Sequence, residues 1–297
     1  MRRSPRRVLC PAPAVLLAAC LLGACSEQET PVASVTVQPT AAELPYPGLV
    51  TLEFGVQMTQ PLGVGGRPLV FVHLLDGHGN VVRTFDHEFP QEWRPGGEVR
   101  YEVVLQQSAL APPLAGGEYA LTLGLYRDER RWPLSTTGSE TDAREYQLAA
   151  ITVPEDGSPA PMFNFSPSWL PTEGGTDNQI LGRRWLSSAG VLRLAEIPGP
   201  GTVRLALRLP EPRAGQDDVV YAEGYSSPGL RITSSCGGQE FSISGFGAHV
   251  VEVPIQAGSD GATPGSCELR FQPFSQLVEK RSLQARAALL EGLAWRG

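Results

Sequence analysis

The stretch VRLALRL, residues 203–209, alternates a branched apolar side chain with arginine or alanine at every step. Successive side chains of a β-strand point to opposite faces of the sheet, so this period of two predicts a half-buried strand. The apolar members would face a core, while Arg204 and Arg208 would face outward. The stretch therefore predicts a sheet that is apolar on one side only.

Similar short segments rich in Val, Leu and aromatic residues recur on both sides of this stretch. They follow one another at intervals of about 10 to 25 residues and are separated by Gly and Pro, which is typical of antiparallel β-structure. We therefore predict an all-β fold with two tandem antiparallel β-sandwich domains. Examples are LVTLEFGVQM at 49–58, PLVFVHLLD at 68–76 and YALTLGLYR at 119–127.

The C-terminal segment 277–291 has helical propensity, and helix and strand both remain open for it. We expect at most a short helix there, followed by a closing strand through Leu293 and Trp295. This segment is the one place where the sequence departs from a plain strand pattern.

Composition divides the chain into five parts. An N-terminal leader is followed by a small, polar, Pro-containing tether, and a second Pro-rich break separates the two domains. The remaining length suits two domains. The predicted boundaries are 1–24 for the leader, 25–46 for the lipidated tether, 47–153 for the first sandwich, 154–161 for the linker and 162–297 for the second sandwich.

The leader begins with MRRSPRR and continues into an apolar segment that is too short to span a bilayer, as in a signal peptide. It ends in Leu-Gly-Ala-Cys at residues 22–25, which resembles the lipobox of bacterial lipoproteins. A rival box ends at Cys20, but the polar SEQET that follows Cys25 favours Cys25. The resemblance implies that Cys25 carries acyl chains such as palmitate and becomes the mature N-terminus.

Residue 26, directly after the lipobox cysteine, is Ser rather than Asp. By resemblance to lipoprotein sorting in Gram-negative bacteria, this implies an outer-membrane location. The partner implied is the membrane itself, through the lipid anchor, with the periplasmic and surface-facing orientations both open. The alternative is an ordinary secretory signal without lipid.

Charge excludes one class of partner. The full chain has 24 Lys+Arg and 31 Asp+Glu, and removing the four arginines of the leader lowers the net charge from −7 to about −11. Such a surface repels phosphate backbones, so we expect no nucleic-acid binding. It also gives no electrostatic attraction to anionic lipid, so acyl chains must hold the protein at the membrane.

Two cysteines remain in the predicted mature chain once Cys25 is lipidated. In an exported protein, Cys236 and Cys267 predict one disulfide, and chain-entropy arithmetic gives it about 3.5 kcal/mol. Two buried free thiols are the alternative. A metal pair is less favoured, because neither cysteine has a second Cys or His at ligand spacing.

The segment FVHLLDGHGNVVRTFDHEFP, residues 71–90, places a Gly-rich turn between two apolar strands and predicts a hairpin. The motif residues of the region 48–153 resemble those of an immunoglobulin-like accessory domain that is found in bacterial envelope proteins and in the tails of membrane glycosyltransferases. The resemblance implies an immunoglobulin-like first sandwich. The matching positions are His73, Asp76, Asp86, Trp93, Gly97, Glu98, Gly117, Tyr119, Gly124, Tyr126 and Arg131 to Leu134.

The second domain contains PSWLPTEGG and GRRWLSSAGVLRL, where a Trp, a Glu and an Arg-Trp pair precede an alternating strand. In these positions it resembles a second β-sandwich module of similar proteins, jelly-roll-like or immunoglobulin-like, although Ser168 and Leu170 depart from its pattern. Exposed Trp beside carboxylates binds sugars by stacking and hydrogen bonding, whereas Trp in a sandwich core only packs. The candidate ligand-binding residues are Trp169, Glu173, Arg184 and Trp185.

No catalytic constellation and no cofactor motif can be named. His73, His78, Asp86 and His87 lie on one predicted hairpin, but neighbouring strand residues point to opposite faces, so we expect no metal site. The sequence therefore favours a non-enzymatic accessory or binding module for envelope glycan or its assembly machinery. The alternative is a structural subunit that docks to another envelope protein, and a polysaccharide-active enzyme ranks third.

Overall fold

The computed structural model describes residues 29–63, 67–172, 182–211, 219–221, 228–256, 265–274, 277–279 and 285–297. The regular elements in these ranges are β-strands, so the predicted all-β class is confirmed. No helix in these ranges is long and apolar enough to cross a membrane. The predicted lipidation site Cys25 and the predicted ligand residue Glu173 lie outside them.

Two facing sheets, which we call the N-terminal sheet pair, form the first half of the fold. Its strands are β1 (Ala33–Gln38), β2 (Ala41–Glu43), β3 (Gly48–Met58), β4 (Leu69–Leu75), β5 (Val81–Thr84), β6 (His87–Glu88), β7 (Glu98–Gln107), β8 (Gly117–Arg127), β9 (Arg130–Trp132), β10 (Leu134–Ser135), β11 (Glu140–Asp142) and β12 (Glu145–Val153). One sheet has the order β10-β1-β3-β7 and the other β11-β12-β8-β4-β5, and the short strands β2, β6 and β9 pair with β12, β4 and β8.

Alternation explains how these strands enclose a core. Leu121, Leu123 and Leu125 of β8 point inward and meet Leu52 and Phe54 of β3 in one buried cluster. The residues between them face outward, as the period of two requires. The arrangement is consistent with a β-sandwich.

The first strand begins earlier than the sequence predicted. Residues 25–46 were expected to form a tether, but β1 pairs antiparallel with β3, and β2 pairs parallel with β12. The reason is that Val35 and Val37 alternate with small polar residues and are buried against the core. The overall composition of the segment, small and polar, conceals that alternation.

The C-terminal sheet pair forms the second half. Its strands are β13 (Met162–Phe165), β14 (Arg184–Leu186), β15 (Gly190–Ala195), β16 (Gly201–Leu209), β17 (Val219–Tyr221), β18 (Gly229–Ser234), β19 (Glu240–Ser244), β20 (Gly247–Ile255), β21 (Ser266–Pro273), β22 (Leu277–Glu279), β23 (Ala285–Arg286) and β24 (Ala288–Arg296). The sheets have the orders β13-β15-β21-β18-β19 and β14-β24-β16-β20, and β17, β22 and β23 form a small third sheet.

The stretch 203–209 behaves as its alternation predicted. It lies in β16, and its four apolar residues are buried in the core of the C-terminal sheet pair while Arg204 and Arg208 are on the other face. The closing strand is also confirmed, because β24 runs through Leu293 and Trp295 beside β16. In the described parts of 277–291 the backbone is strand rather than helix.

The predicted disulfide is present. Cys236, in the turn after β18, is bonded to Cys267 on β21, and their Cα atoms are 5.6 Å apart. Cys236 is nearly buried and Cys267 is fully buried in the core cluster of the C-terminal sheet pair. The bond therefore joins a surface turn to a core strand.

Replacing both cysteines, Cys236→Ala with Cys267→Ala, should lower the free energy of unfolding by about 2 to 4 kcal/mol, because the unfolded chain loses a cross-link. Urea denaturation measures this difference. Reductant should destabilise the natural protein to the same extent and leave the double variant unchanged. Equal stability of the two proteins without reductant would contradict the prediction.

Candidate functional site

Trp169 is a core residue of the C-terminal sheet pair. Its ring is 4% exposed and packs edge-on against Phe165 at 5.6 Å and Phe271 at 5.0 Å between centroids. Its indole N–H is buried and has no hydrogen-bond partner among the described residues. This ring supports the core and presents no face on which a sugar could stack.

The Arg184 side chain lies on the core-facing side of β14, the side on which Trp169 packs. Its guanidinium lies over the Phe165 ring at 4.4 Å, and its Nε–H donates to the Thr172 hydroxyl at 2.9 Å. Burial lowers the pKa of Arg184. The side chain therefore closes the edge of the core around Trp169.

Trp185 points the other way. Its neighbour Leu186 is in the core, so strand alternation places Trp185 on the outer face, half-buried under the Arg286 guanidinium at 5.1 Å. Of the predicted ligand residues that the structure describes, Trp169 and Arg184 are brought together, and Trp185 lies on the opposite face. One sugar cannot stack on both tryptophans.

The predicted hairpin motif forms a polar cluster on the outer face of the N-terminal sheet pair. His73 Nδ1 lies 3.1 Å from a Glu145 oxygen, the Thr122 hydroxyl donates to the same oxygen, and Arg131 approaches the other at 4.0 Å. Burial alone would raise the pKa of Glu145, but the hydrogen bonds from His73 and Thr122 and the charges of His73 and Arg131 lower it. The cluster joins β4, β8 and β12.

The other histidines of the hairpin are dispersed. His78 lies in the turn after β4, where its N–H donates to Asp76, and the His87 ring contacts the Tyr101 hydroxyl at 3.2 Å. Among the residues described, no group of three or more His, Cys, Asp or Glu side chains is placed to hold a metal ion.

The two sheet pairs are joined by backbone and side-chain contacts at the end of β7. The Ala109 N–H donates to the Leu293 carbonyl at 2.7 Å, and the Leu293 N–H donates to the Ser108 hydroxyl at 3.1 Å. A side chain on Gly182 would clash with the Leu110 carbonyl, whereas one on Gly292 would require the flexible end of the Gln106 side chain to move. Glycine at position 182 therefore permits this close approach.

A β-bulge shapes the strand that makes this contact. Ala206 of β16 pairs with Gly292 of β24, but the next residue, Leu207, pairs with Leu290, so Glu291 has no counterpart. A bulge of this kind re-aims the extra side chain. Glu291 accepts a hydrogen bond from Arg208 Nε at 2.7 Å on the outer face.

A cavity of about 440 Å³ lies beside this contact, between outward-facing residues of both sheet pairs. We call it the junction cleft. Its volume is within the range of small-ligand sites, which occur preferentially where domains meet. Its lining residues are Arg83, Thr84, Phe85, Val104, Gln106, Ser108, Ala111, Arg183, Arg204, Ala206, Arg208 and Glu291.

The junction cleft carries an excess of positive charge. Its four arginines face a single acid, Glu291, which pairs with Arg208. Arg204 donates to the Gln106 side-chain carbonyl at 2.9 Å, and Arg83 donates to the Val82 and Pro112 carbonyls. Desolvation by burial lowers the pKa of both Arg83 and Arg204.

Trp185 shares a sheet face with these arginines. It pairs with Leu289 of β24, and Leu289 in turn pairs with Arg208 of β16. Two steps across a sheet separate residues by about 10 Å. Of the predicted ligand residues that the structure describes, Trp185 is therefore the one whose row of the sheet also contains an arginine of the cleft.

A second arginine-rich groove, of about 880 Å³, lies on the N-terminal sheet pair beside the β8–β9 turn. Its charge is more evenly balanced, because Asp128 and Glu129 also line it and Arg131 approaches Asp142 at 3.8 Å. Arg131 also covers the Phe71 ring at 4.7 Å. This groove therefore has less positive charge to offer a ligand.

Sequence reasoning missed the junction cleft. The alternation of 203–209 placed Arg204 and Arg208 outside, but nothing in the sequence indicated that the outer face of β16 would meet Gln106 of β7. The one local signal was the Gly292 within an apolar strand, which is typical of a bulge or of a close backbone approach.

Comparison with known proteins assigns no function to the junction cleft. No protein-family model matches this sequence, and no curated protein matches it. The function of the cleft therefore follows from the chemistry of its own residues.

Glu145 should make the stability of the protein depend on pH. Its pKa is lowered in the folded state, so its contribution is complete above the unfolded-state value of about 4.3 and is lost as pH falls below it. Glu145→Gln should cost about 1 to 3 kcal/mol at pH 7 and less in acid. Urea denaturation across this pH range measures both values.

The matched control is Asp142→Asn, because the Asp142 side chain is 75% exposed. It should change the free energy of unfolding by less than about 0.5 kcal/mol. A Glu145→Gln loss that stays constant from pH 7 into acid would contradict the role of the ionised carboxylate.

Proposed function

We propose that the protein is an outer-membrane lipoprotein, anchored through Cys25, that binds an envelope glycan in the junction cleft without chemically changing it. The observation that carries this proposal is the cleft itself, a concave cavity lined by hydrogen-bonding side chains from two sheet faces. Such sites combine a preformed shape with a few polar groups that fix the orientation of the ligand.

The strand order supports an immunoglobulin-like N-terminal sheet pair. Strands β1, β3 and β7 face β4, β8 and β12, and β2 runs parallel to β12. The Tyr119 hydroxyl, near the start of β8, donates to the Ala115 carbonyl at 2.7 Å. A tyrosine in this position that bonds back to upstream backbone is a hallmark of immunoglobulin-like sandwiches.

The strand order of the C-terminal sheet pair favours a jelly roll over an immunoglobulin-like fold. Its principal strands in chain order are β14, β15, β16, β18, β19, β20, β21 and β24. One sheet then contains the first, eighth, third and sixth of them, and the other the second, seventh, fourth and fifth, with β13 as an additional edge strand beside β15. This is the pattern of a double Greek key, which is found among lectin domains.

The groups that line the cleft suit a sugar. Gln106 and Thr84 offer an amide and a hydroxyl, and Phe85 adds a half-buried aromatic ring. Sugar rings present apolar faces for stacking and hydroxyl groups for hydrogen bonding.

A second candidate function is docking to another envelope protein. Strand β20 is at the end of its sheet among the described strands. Phe246, in the turn just before β20, and Val250, on β20, are 46% and 55% exposed. An open sheet edge can accept a strand from another chain. This surface differs from the junction cleft, so the two candidates can be tested independently.

The glycan proposal predicts that filling the cleft abolishes binding. Ala206→Leu adds bulk to a residue that lines the cavity, and it should weaken binding to the glycans that the natural lipoprotein captures on a glycan array by about tenfold or more. Ala150→Leu is the matched control on the outer face of β12 and should bind normally. Failure of the natural protein to bind any glycan would overturn the proposal.

The lipid anchor predicts a sharp difference between two cysteines. Cys25→Ser should abolish labelling of the protein by radioactive palmitate and release it from the outer-membrane fraction. Cys20→Ser, in the rival box, should retain both properties. Labelling that survives Cys25→Ser, or that is lost in Cys20→Ser, would contradict the assignment of the anchor to Cys25.

A further inference from the structure

We infer that the ligand of the junction cleft is an acidic glycan, whose carboxylate or other oxyanion lies among Arg83, Arg183 and Arg204. This inference rests on the proposed glycan-binding function and narrows it to one chemical class. It follows from the way in which the three arginines are held.

Arg204 is a half-buried cation that forms no ion pair with another described residue. Its described hydrogen-bond partner is the neutral Gln106 carbonyl, at 2.9 Å. Glu252 lies directly opposite Arg204 on β20, but it forms its ion pair with Arg296, at 3.5 Å. The charge of Glu252 therefore compensates that of Arg204 only in part, and an anion in the cleft would offset the remaining cost of burying the guanidinium.

Arg83 is held in a similar way from the other sheet pair. Its two terminal nitrogens donate to the Val82 carbonyl at 2.8 Å and the Pro112 carbonyl at 3.1 Å. Neutral carbonyls fix the plane of the guanidinium and leave its positive charge uncompensated. An arginine has five N–H donors, so further donors remain for a ligand.

Arg183 adds a third cation, this time from the segment before β14. It is exposed and makes no ion pair or hydrogen bond with another described residue, although it lines the same cavity. The three arginines therefore come from three different parts of the fold and meet at one cavity. Their charges repel one another, so an anion between them would stabilise the junction as well as the complex.

In the fourth arginine of the cleft, Arg208, the positive charge is compensated by an acidic side chain. Arg208 forms an ion pair with Glu291 at 2.7 Å, and this hydrogen bond raises its pKa, whereas burial lowers the pKa of Arg83 and Arg204. The bulge at Glu291 thus neutralises one side of the cleft and leaves the other side positive. A ligand would meet a neutral side and a cationic side.

The chemistry of the guanidinium selects the anion. Its planar fork matches the two oxygens of a carboxylate or phosphate and binds them through paired hydrogen bonds. The chain as a whole is acidic, with 31 Asp+Glu against 24 Lys+Arg, so an acidic ligand is repelled by most of the surface and drawn to this cleft. The concave shape and the Phe85 ring favour a sugar over an extended acidic peptide.

An array of acidic and neutral oligosaccharides, with an acidic peptide for comparison, tests the inference. The panel carries uronic-acid oligosaccharides, their carboxyl-reduced neutral counterparts, phosphorylated oligosaccharides and a polyglutamate peptide. The full lipoprotein in detergent should bind the acidic oligosaccharides, and binding should weaken as salt concentration rises. Arg204→Gln should weaken this binding by about tenfold or more.

The matched control is Arg270→Gln, since Arg270 is exposed, is paired with Glu268 and does not line the cleft. It should bind as the natural protein does. Thermal unfolding verifies that the variants are folded, and Arg183→Gln, at an exposed position, provides a second test if Arg204→Gln is unstable.

The outcomes separate the two proposals. Equal binding of the acidic and the carboxyl-reduced oligosaccharides would overturn the acidic class and leave the glycan function standing. Binding of polyglutamate alone would overturn both proposals and assign the cleft to an acidic protein segment. Binding of no probe would also overturn both, and unchanged binding by Arg204→Gln and Arg183→Gln would overturn the role of the arginines.

Discussion

The close contact between β24 and the end of β7 is the constraint on which the rest of the structure depends. The Ala109–Leu293 hydrogen bond joins the two sheet pairs through their backbones, and the missing side chain of Gly182 leaves room for the Leu110 carbonyl. Both features fix the distance between two outer sheet faces. The junction cleft exists because those faces are held close together without being packed against each other.

The positive charge of the junction cleft is a consequence of this geometry. Outward positions of a strand normally face water, where an arginine needs no partner. At the junction, the outer face of β16 instead faces another sheet pair, so Arg204 is partly desolvated and has only a neutral hydrogen-bond partner among the described residues. The contrast with the buried Glu145, which is matched by His73 and Arg131, distinguishes a cluster that supports the fold from one that can receive a ligand.

Sequence reasoning was strongest where one local pattern decides the outcome. Alternation predicted the all-β class and the two faces of β16, and the count of cysteines predicted the Cys236–Cys267 bond. It was weaker where composition conceals alternation, as in β1, whose buried Val35 and Val37 lie in a segment that looked like a tether. It also could not show that Trp169 lies in the core and Trp185 on the outer face, because the residue type is the same at both positions.

The sequence by itself determined the strands, their apolar faces and the outward direction of Arg204 and Arg208, because these follow from the alternation of apolar and polar residues. Only the tertiary structure decided what those arginines face. The physical reason is that a strand's two faces are set by neighbouring residues, whereas the surface opposite the outer face comes from residues 98 positions away in the chain, such as Gln106 beside Arg204.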